Sequence, residues 1–205
     1  MSAPDPNDPV TSNLANQAKS GDVARFAQLY ERVSPALFAW AELRIHRPMR
    51  AHVEPADLVQ EVWLRAVRGL DGFDPDLGRF RSWIFQIAKH ALFEAYRGMR
   101  RLPRAAHPAG STRALFALEN CPDDVSNASQ LLARDDSIKH FVESARELAP
   151  DERRILLLCG LEQQTCADAA RHLDLGEAAV IKRWQRLRKR LRERPWATNL
   201  LPEND

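Results

Sequence analysis

The residues with the clearest chemical character in this sequence are basic side chains interleaved with aromatic ones. Between Arg79 and Arg104 the chain carries seven Lys or Arg against a single acid, Glu94. Helical spacing leaves one polar and aromatic face in this stretch. The residues on that face are Gln86, Lys89, His90, Phe93, Tyr96 and Arg97. Because rings stack on unpaired bases and cations follow the phosphate backbone, the face predicts contact with single-stranded nucleic acid.

The alternative for this stretch is an ordinary core helix with a solvated basic side. Phe80 and Trp83 fall on its apolar side, and Phe93 and Tyr96 also fit a packed interior. The preceding loop, Asp71–Gly78, could shape a pocket for an extruded base. The sequence leaves both interpretations open.

A second basic helix is predicted from Glu177 to about Arg194, with eight Lys or Arg against two acids. A capping-box pattern at Thr165–Asp168 opens a short helix before it, and a tight turn follows at Asp174–Gly176. Such a helix-turn-helix places its second helix in the major groove of duplex DNA, unless the helix is only a core helix with a solvated basic face. The residues predicted to contact DNA are Ala178, Ala179, Lys182, Arg183, Arg186 and Lys189.

The elements that must hold these side chains are helices. Apolar residues recur at three- and four-residue spacing from Asp22 to Arg101 and again from about Asp135, and no stretch alternates convincingly with the period of a strand. Pro35 divides the first two helical segments, and another helix begins at Pro55. The sequence therefore predicts an all-α protein of two small helical domains, a four-helix domain and a C-terminal helix-turn-helix domain, joined by a flexible linker.

The predicted boundaries follow changes in composition. We expect a disordered tail over residues 1–20, a helical domain over 21–102, a linker over 103–134, the helix-turn-helix domain over 135–195 and a tail over 196–205. Between Glu119 and Glu152 nine acids stand against three bases, so the middle of the chain is opposite in charge to its neighbours.

Motifs typical of several other classes of protein are missing from the sequence. The six histidines show no metal-binding spacing, the three cysteines form no paired motif, and there is no phosphate-binding glycine loop or nucleophile elbow. We therefore expect no enzymatic activity, no cofactor, no metal and no small-molecule substrate. Without a long apolar run or a signal peptide, we also expect a cytoplasmic protein with no membrane insertion.

Two stretches resemble conserved regions of bacterial sigma factors of the extracytoplasmic-function (ECF) group. Residues 57–101, DLVQEVWLRAVRGLDGFDPDLGRFRSWIFQIAKHALFEAYRGMRR, resemble region 2, and residues 149–193, APDERRILLLCGLEQQTCADAARHLDLGEAAVIKRWQRLRKRLRE, resemble region 4. The resemblance implies an alternative sigma factor that binds RNA polymerase core and directs promoter-specific initiation. It implies recognition and melting of the minus-ten element, reading of the minus-thirty-five element by the helix-turn-helix, and an anti-sigma factor as a further partner.

The resemblance also implies roles for individual residues. Those that would contact the polymerase are Asp57, Gln60, Glu61 and Arg65. Those that would face the minus-ten element are Asp74, Arg79, Phe80, Lys89, His90, Phe93 and Arg97. The turn departs from the family, since Asp174 replaces a glycine and Gly176 replaces a Ser or Thr cap.

Two other functions fit part of the sequence. A helix-turn-helix regulator that binds duplex DNA without polymerase would explain residues 149–193 but not residues 57–101. The second alternative is a sigma-like decoy that occupies polymerase without opening promoters.

Replacing Arg183 and Arg186 with alanine is expected to weaken promoter binding and reduce its salt dependence, because each arginine that neutralises a phosphate releases a counterion. The measurement is the slope of the logarithm of the binding constant against the logarithm of the salt concentration. An unchanged slope would count against the recognition-helix assignment.

Overall fold

A computed structural model of the chain describes residues 8–101, 132–194 and 200–201. Helices make up most of these residues and no strand occurs among them, which confirms the all-α prediction. Most of the expected linker, Pro195 at the end of the expected helix-turn-helix domain, and residues 1–7, 196–199 and 202–205 of the two expected tails lie outside the described residues. Within the described part of the chain, no helix is both long and apolar enough to cross a membrane.

The helices of the N-terminal half surround an aromatic core. Their bounds are Asp8–Lys19 for α1, Val23–Arg44 for α2, Arg47–Arg50 for α3, Pro55–Gly69 for α4, with a 3-10 turn at Leu70–Gly72, and Phe80–Arg101 for α5. The Trp63 ring on α4 lies 5.5 Å from that of Phe26, 5.0 Å from that of Tyr30 and 6.4 Å from that of Phe80, measured between centroids. Because these rings come from α2, α4 and α5, their packing fixes which face of α5 points outward.

Helix α1 forms where the sequence predicts a disordered tail. Thr11, Ala15 and Ala18 are buried, and α1 packs against both α2 and α5. Small residues carry much of this contact, so the segment lacks the row of large apolar side chains that marks an amphipathic helix. The predicted domain start at residue 21 is wrong by one helix.

Helix α2 continues through Pro35, where the sequence predicts a division between two helices. A proline inside a helix removes one backbone hydrogen bond and crowds the preceding turn, at a cost of about 3 kcal/mol. Val33, Ser34, Ala36 and Leu37 on either side of it are all buried. Their packing offsets the cost, so one long helix replaces the two expected ones.

The C-terminal half begins with α6 at Asp136–Glu147 and continues with α7 at Pro150–Ile155, which runs on as a π-helix over Leu156–Leu161. The helix pair α8, Cys166–Leu173, and α9, Glu177–Arg192, then follows. The Thr165 hydroxyl accepts the backbone N–H of Asp168 at 3.0 Å and donates to its carboxylate at 2.7 Å. The prediction that Thr165 caps the start of α8 is therefore confirmed.

The turn between α8 and α9 depends on a left-handed residue. Asp174 has φ of 54° and ends α8, and Gly176 begins α9 without a side-chain cap. Asp tolerates this conformation better than most residues, although glycine adopts it at less cost. The tight turn predicted from Asp174 is confirmed.

The two halves are in contact in this structure. Helix α2 packs against α6 and against the π-helical segment. At one edge Arg146 on α6 lies 3.0 Å from the Glu42 carboxylate on α2, which also binds Arg50.

Replacing Asp174 with glycine is expected to raise the free energy of unfolding by about 0.5–1 kcal/mol, because the strain of a left-handed non-glycine residue is removed. Asp174→Val should lower it, since a β-branched side chain suits this conformation least. Urea unfolding followed by circular dichroism measures both changes. A glycine variant less stable than the parent would contradict the role given to this turn.

Candidate nucleic-acid interface

The outward face of α5 carries exposed aromatic rings beside basic side chains. Phe93 is 58% exposed and Tyr96 is 44% exposed. The guanidinium of Arg97 lies 5.8 Å from the centre of the Phe93 ring, and that of Arg100 lies 5.9 Å from the Tyr96 ring. The packing alternative is therefore wrong for both rings. We call this surface, formed by Gln86, Lys89, His90, Phe93, Tyr96, Arg97 and Arg100, the α5 face.

The start of α5 shows which predicted minus-ten residues are accessible. Asp74 is exposed in the loop and Arg79 is half-buried. Phe80 is fully buried, with its ring centroid 5.3 Å from that of Phe73 and 5.4 Å from that of Trp83. The prediction that Phe80 contacts DNA is wrong for this structure, because its side chain belongs to the core.

Two exposed residues near the predicted minus-ten residues were not predicted individually, although one of them, Leu77, lies in the loop predicted to shape a pocket. Leu77 at the tip of the loop is 86% exposed, and Arg100 extends the α5 face by one turn. Arg100 follows Phe93 and Arg97 at helical spacing, so the sequence could have predicted that it lies on the same face. The exposure of Leu77 could not be predicted from residue spacing, because a loop has no periodicity.

Lys89 lies on the α5 face but is engaged by the other half of the chain. Its Nζ lies 3.1 Å from Oε2 of Glu162. The Glu162 Oε1 accepts the indole N–H of Trp40 at 2.8 Å and a guanidinium N–H of Arg44 at 3.0 Å. Gln164 also donates to Oε2, at 2.7 Å. One carboxylate of the C-terminal half is thus bound by three donors of the N-terminal half.

The surroundings of Glu162 keep it ionised. Burial alone would raise the pKa of Glu162, but the Trp40 N–H and the charges of Lys89 and Arg44 outweigh it, so the pKa lies below its ordinary value. The next residue, Gln163, has φ of 54°, and the π-helix ends just before Glu162. Left-handed non-glycine residues and π-helical turns persist where their surroundings determine them, and they often mark functional sites.

A second polar contact joins the halves close to this carboxylate. Arg81 on α5 is buried and donates to the backbone carbonyl of Leu161 at 3.0 Å and to that of Leu200 at 3.2 Å. The segment around Glu162 is therefore held at two neighbouring points.

The predicted polymerase-contacting residues on α4 are mostly covered. Gln60 is 3% exposed and Glu61 is 4% exposed, whereas Asp57 and Arg65 are half-buried. The Arg65 guanidinium lies 2.6 Å from the Glu61 carboxylate and 2.7 Å from that of Glu94 on α5. In this structure Glu61 and Arg65 therefore link α4 to α5, and Gln60 and Glu61 offer little surface to a partner.

Helix α9 presents its predicted contact residues to solvent. Ala178, Ala179, Lys182, Arg183, Arg186 and Lys189 are all exposed, while Val180, Trp184, Leu187 and Leu191 form the buried side. Arg183 lies 3.4 Å from the Asp151 carboxylate and Arg190 lies 2.9 Å from that of Glu152. Exposed ion pairs of this kind contribute about 0–1 kcal/mol, so phosphates could displace the carboxylates at little cost.

Comparison with known proteins finds similarity over most of the chain. The Sigma-70 region 2 family model matches residues 29–102. The ECF RNA polymerase sigma factor SigG of Mycobacterium tuberculosis is 32% identical over 164 residues, covering 73% of this chain and 44% of SigG. The RNA polymerase sigma factor CnrH of Cupriavidus metallidurans is 29% identical over 178 residues, covering 87% of this chain and 90% of CnrH.

A solved structure is also similar. It is the structure of CnrH in complex with the cytosolic domain of CnrY. The similarity covers 90% of this chain and 96% of the matched chain in that structure, at 27% sequence identity and a TM-score of 0.43. In the two sequence comparisons, the matched part of the chain spans less than half of SigG but nearly all of CnrH.

The Glu162 contacts predict a pH-dependent contribution to stability. Because the folded-state pKa is lowered, this contribution is fully present above the ordinary value of 4.5 and is lost as the pH falls through the folded-state pKa. Glu162→Gln should be less stable than the parent at neutral pH, and the difference should shrink below that value. Urea unfolding at a series of pH values measures it.

The matched control is Glu143→Gln, an exposed carboxylate of the same half that lies 3.7 Å from His140. It should leave the free energy of unfolding nearly unchanged at neutral pH. A difference between Glu162→Gln and the parent that stays constant down to the lowest pH would show that the Glu162 charge does not stabilise the fold.

Proposed function

This chain belongs to the ECF group of RNA polymerase sigma factors, and we propose that it binds the polymerase core and directs promoter-specific initiation of transcription. The observation that carries the proposal is the α5 face, which lies within the region 2 match and exposes Phe93 and Tyr96 beside basic side chains. Residues used only for packing would not leave two large rings in solvent. The proposed place of action is the cytoplasm.

The proposed role of the α5 face is to recognise and open the minus-ten element. Phe93 and Tyr96 supply surfaces on which unpaired bases stack, and Arg97 and Arg100 supply the cations that follow the backbone. His90 adds a side chain that donates or accepts hydrogen bonds, and Asp74 lies in the adjoining loop. Stacking lowers the free energy of unpaired bases, so this surface favours the melted strand over the duplex.

The proposed role of the α8–α9 pair is to read the minus-thirty-five element as duplex. Lys182, Arg183 and Arg186 can bind guanine edges or phosphates, while Ala178 and Ala179 allow close approach to the groove. The exposure of these five side chains supports the proposal. A helix of this kind reads sequence in the major groove and gains affinity from its flanking cations.

The proposed protein partners are RNA polymerase core and an anti-sigma factor. Asp57 and Arg65 remain the candidate polymerase contacts on α4, because both are partly exposed. Gln60 and Glu61 could take part only if a rearrangement of the chain uncovered them. Membership of the ECF group supports an anti-sigma factor without identifying it.

Run-off transcription with purified core polymerase tests this function. Promoter-specific transcripts that require the protein are the expected result. Duplex binding without core polymerase and without initiation would indicate a helix-turn-helix regulator instead. Binding to core polymerase with no initiation would indicate a decoy.

Within that assay, Phe93→Ala and Arg97→Gln are expected to reduce promoter opening. A base stacked on an aromatic side chain contributes about 1–3 kcal/mol, so Phe93→Ala should lower the yield of open complex by roughly tenfold. Lys139→Gln is the control, because Lys139 is an exposed cation on α6 and belongs to neither proposed DNA surface. Equal activity of all three variants would contradict the assignment of the α5 face.

A further inference from the structure

We propose that Trp40, Arg44 and Lys89 form a binding site for a backbone phosphate of single-stranded DNA, and that the Glu162 carboxylate fills this site when the two halves are in contact. The inference rests on the function proposed for the α5 face and extends that surface onto α2. It also gives Glu162 a role as an intramolecular competitor of DNA.

The donors converge as an anion site requires. Trp40 is 1% exposed, and its indole N–H points at the Glu162 carboxylate over 2.8 Å. A buried indole N–H needs an acceptor, so an anion or water must take this place whenever Glu162 leaves. The side chains of Arg44 and Lys89 are 37% and 29% exposed and add two positive charges. One neutral N–H and two cations suit the oxygens of a phosphate as well as those of a carboxylate.

The position of this site suits a nucleic-acid strand. Lys89 lies one helical turn before Phe93 on the same face of α5. A strand whose bases stack on Phe93 and Tyr96 would therefore carry its backbone past Lys89. Arg44 lies 5.7 Å from the Trp40 ring, so it approaches the same point from α2.

Glu162 belongs to the C-terminal half of the chain, so its carboxylate occupies the site only while the two halves are in contact. The carboxylate can leave Lys89 only when its loop moves away from α2 and α5. The left-handed Gln163 and the preceding π-helix fix the loop in the position that directs Glu162 inward. Contact between the halves and phosphate binding at this site therefore exclude each other.

The test measures binding of the full-length chain to a short fluorescein-labelled single-stranded oligodeoxynucleotide by fluorescence anisotropy, without polymerase. Glu162→Gln should bind at least about fivefold more tightly than the parent, which is the lower end of typical coupling between sites. Glu143→Gln, the matched loss of an exposed carboxylate, should bind like the parent. If Glu162→Gln binds no more tightly, competition by Glu162 is refuted.

Further variants in the Glu162→Gln background test the site itself. Arg44→Gln should weaken binding and lower the slope of log affinity against log salt by about 0.7, the value for one phosphate contact on a single strand. Trp40→Phe should weaken binding without changing the slope, because it removes a neutral donor. Lys139→Gln should change neither quantity. Circular dichroism checks that each variant is folded.

The outcomes separate this inference from the function on which it rests. If Arg97→Gln weakens binding while Arg44→Gln and Trp40→Phe do not, the α5 face binds DNA and the phosphate site is refuted. If Arg97→Gln and Phe93→Ala also have no effect, the function proposed for the α5 face fails. Weakening by Arg44→Gln and Trp40→Phe, with the expected difference in salt slope, supports the site.

Discussion

The buried Glu162 carboxylate is the contact on which the arrangement of the two halves depends. It removes a charge from water, and it is compatible with folding only because Trp40, Arg44 and Lys89 supply an N–H and two cations. Removing one partner from a buried pair typically costs about 3–5 kcal/mol, because the remaining charge loses its compensation. The contact is therefore specific, since few other placements of the C-terminal half would satisfy this carboxylate.

Packing on one side of α5 determines which side chains its other side presents to solvent. One side of the helix is anchored by Phe80 and Trp83 in the aromatic core, so the opposite side is rigid and points outward. Phe93 and Tyr96 are therefore held in solvent with little freedom to turn inward. A rigid stacking surface loses less entropy on binding than a flexible loop, which suits a helix that must compete with base pairing.

Features that depend on residues close together along the chain could be predicted from the sequence. Helix α4 begins at Pro55 as expected, and Thr165 and Asp174 form the cap and the turn that their residue types favour. The exposed face of α9 followed from its periodicity, because Val180 and Trp184 fix the buried side.

Features that depend on distant contacts could not be predicted in this way. Burial of Val33 and Leu37 lets α2 continue through Pro35, and close packing of Ala15 and Ala18 lets α1 form. Glu162 lies in a polar loop and is 122 residues from Trp40, so nothing near it in the sequence marks it as buried.

Photo-crosslinking from position 93 would show which partner the α5 face contacts. A photoreactive amino acid would replace Phe93, and the protein would be assembled with core polymerase on promoter DNA. We expect crosslinks to one strand of the minus-ten element, and we expect them to decrease when the DNA is held fully paired. Crosslinks confined to polymerase or to the C-terminal half of the same chain would contradict the proposal that the α5 face binds melted DNA.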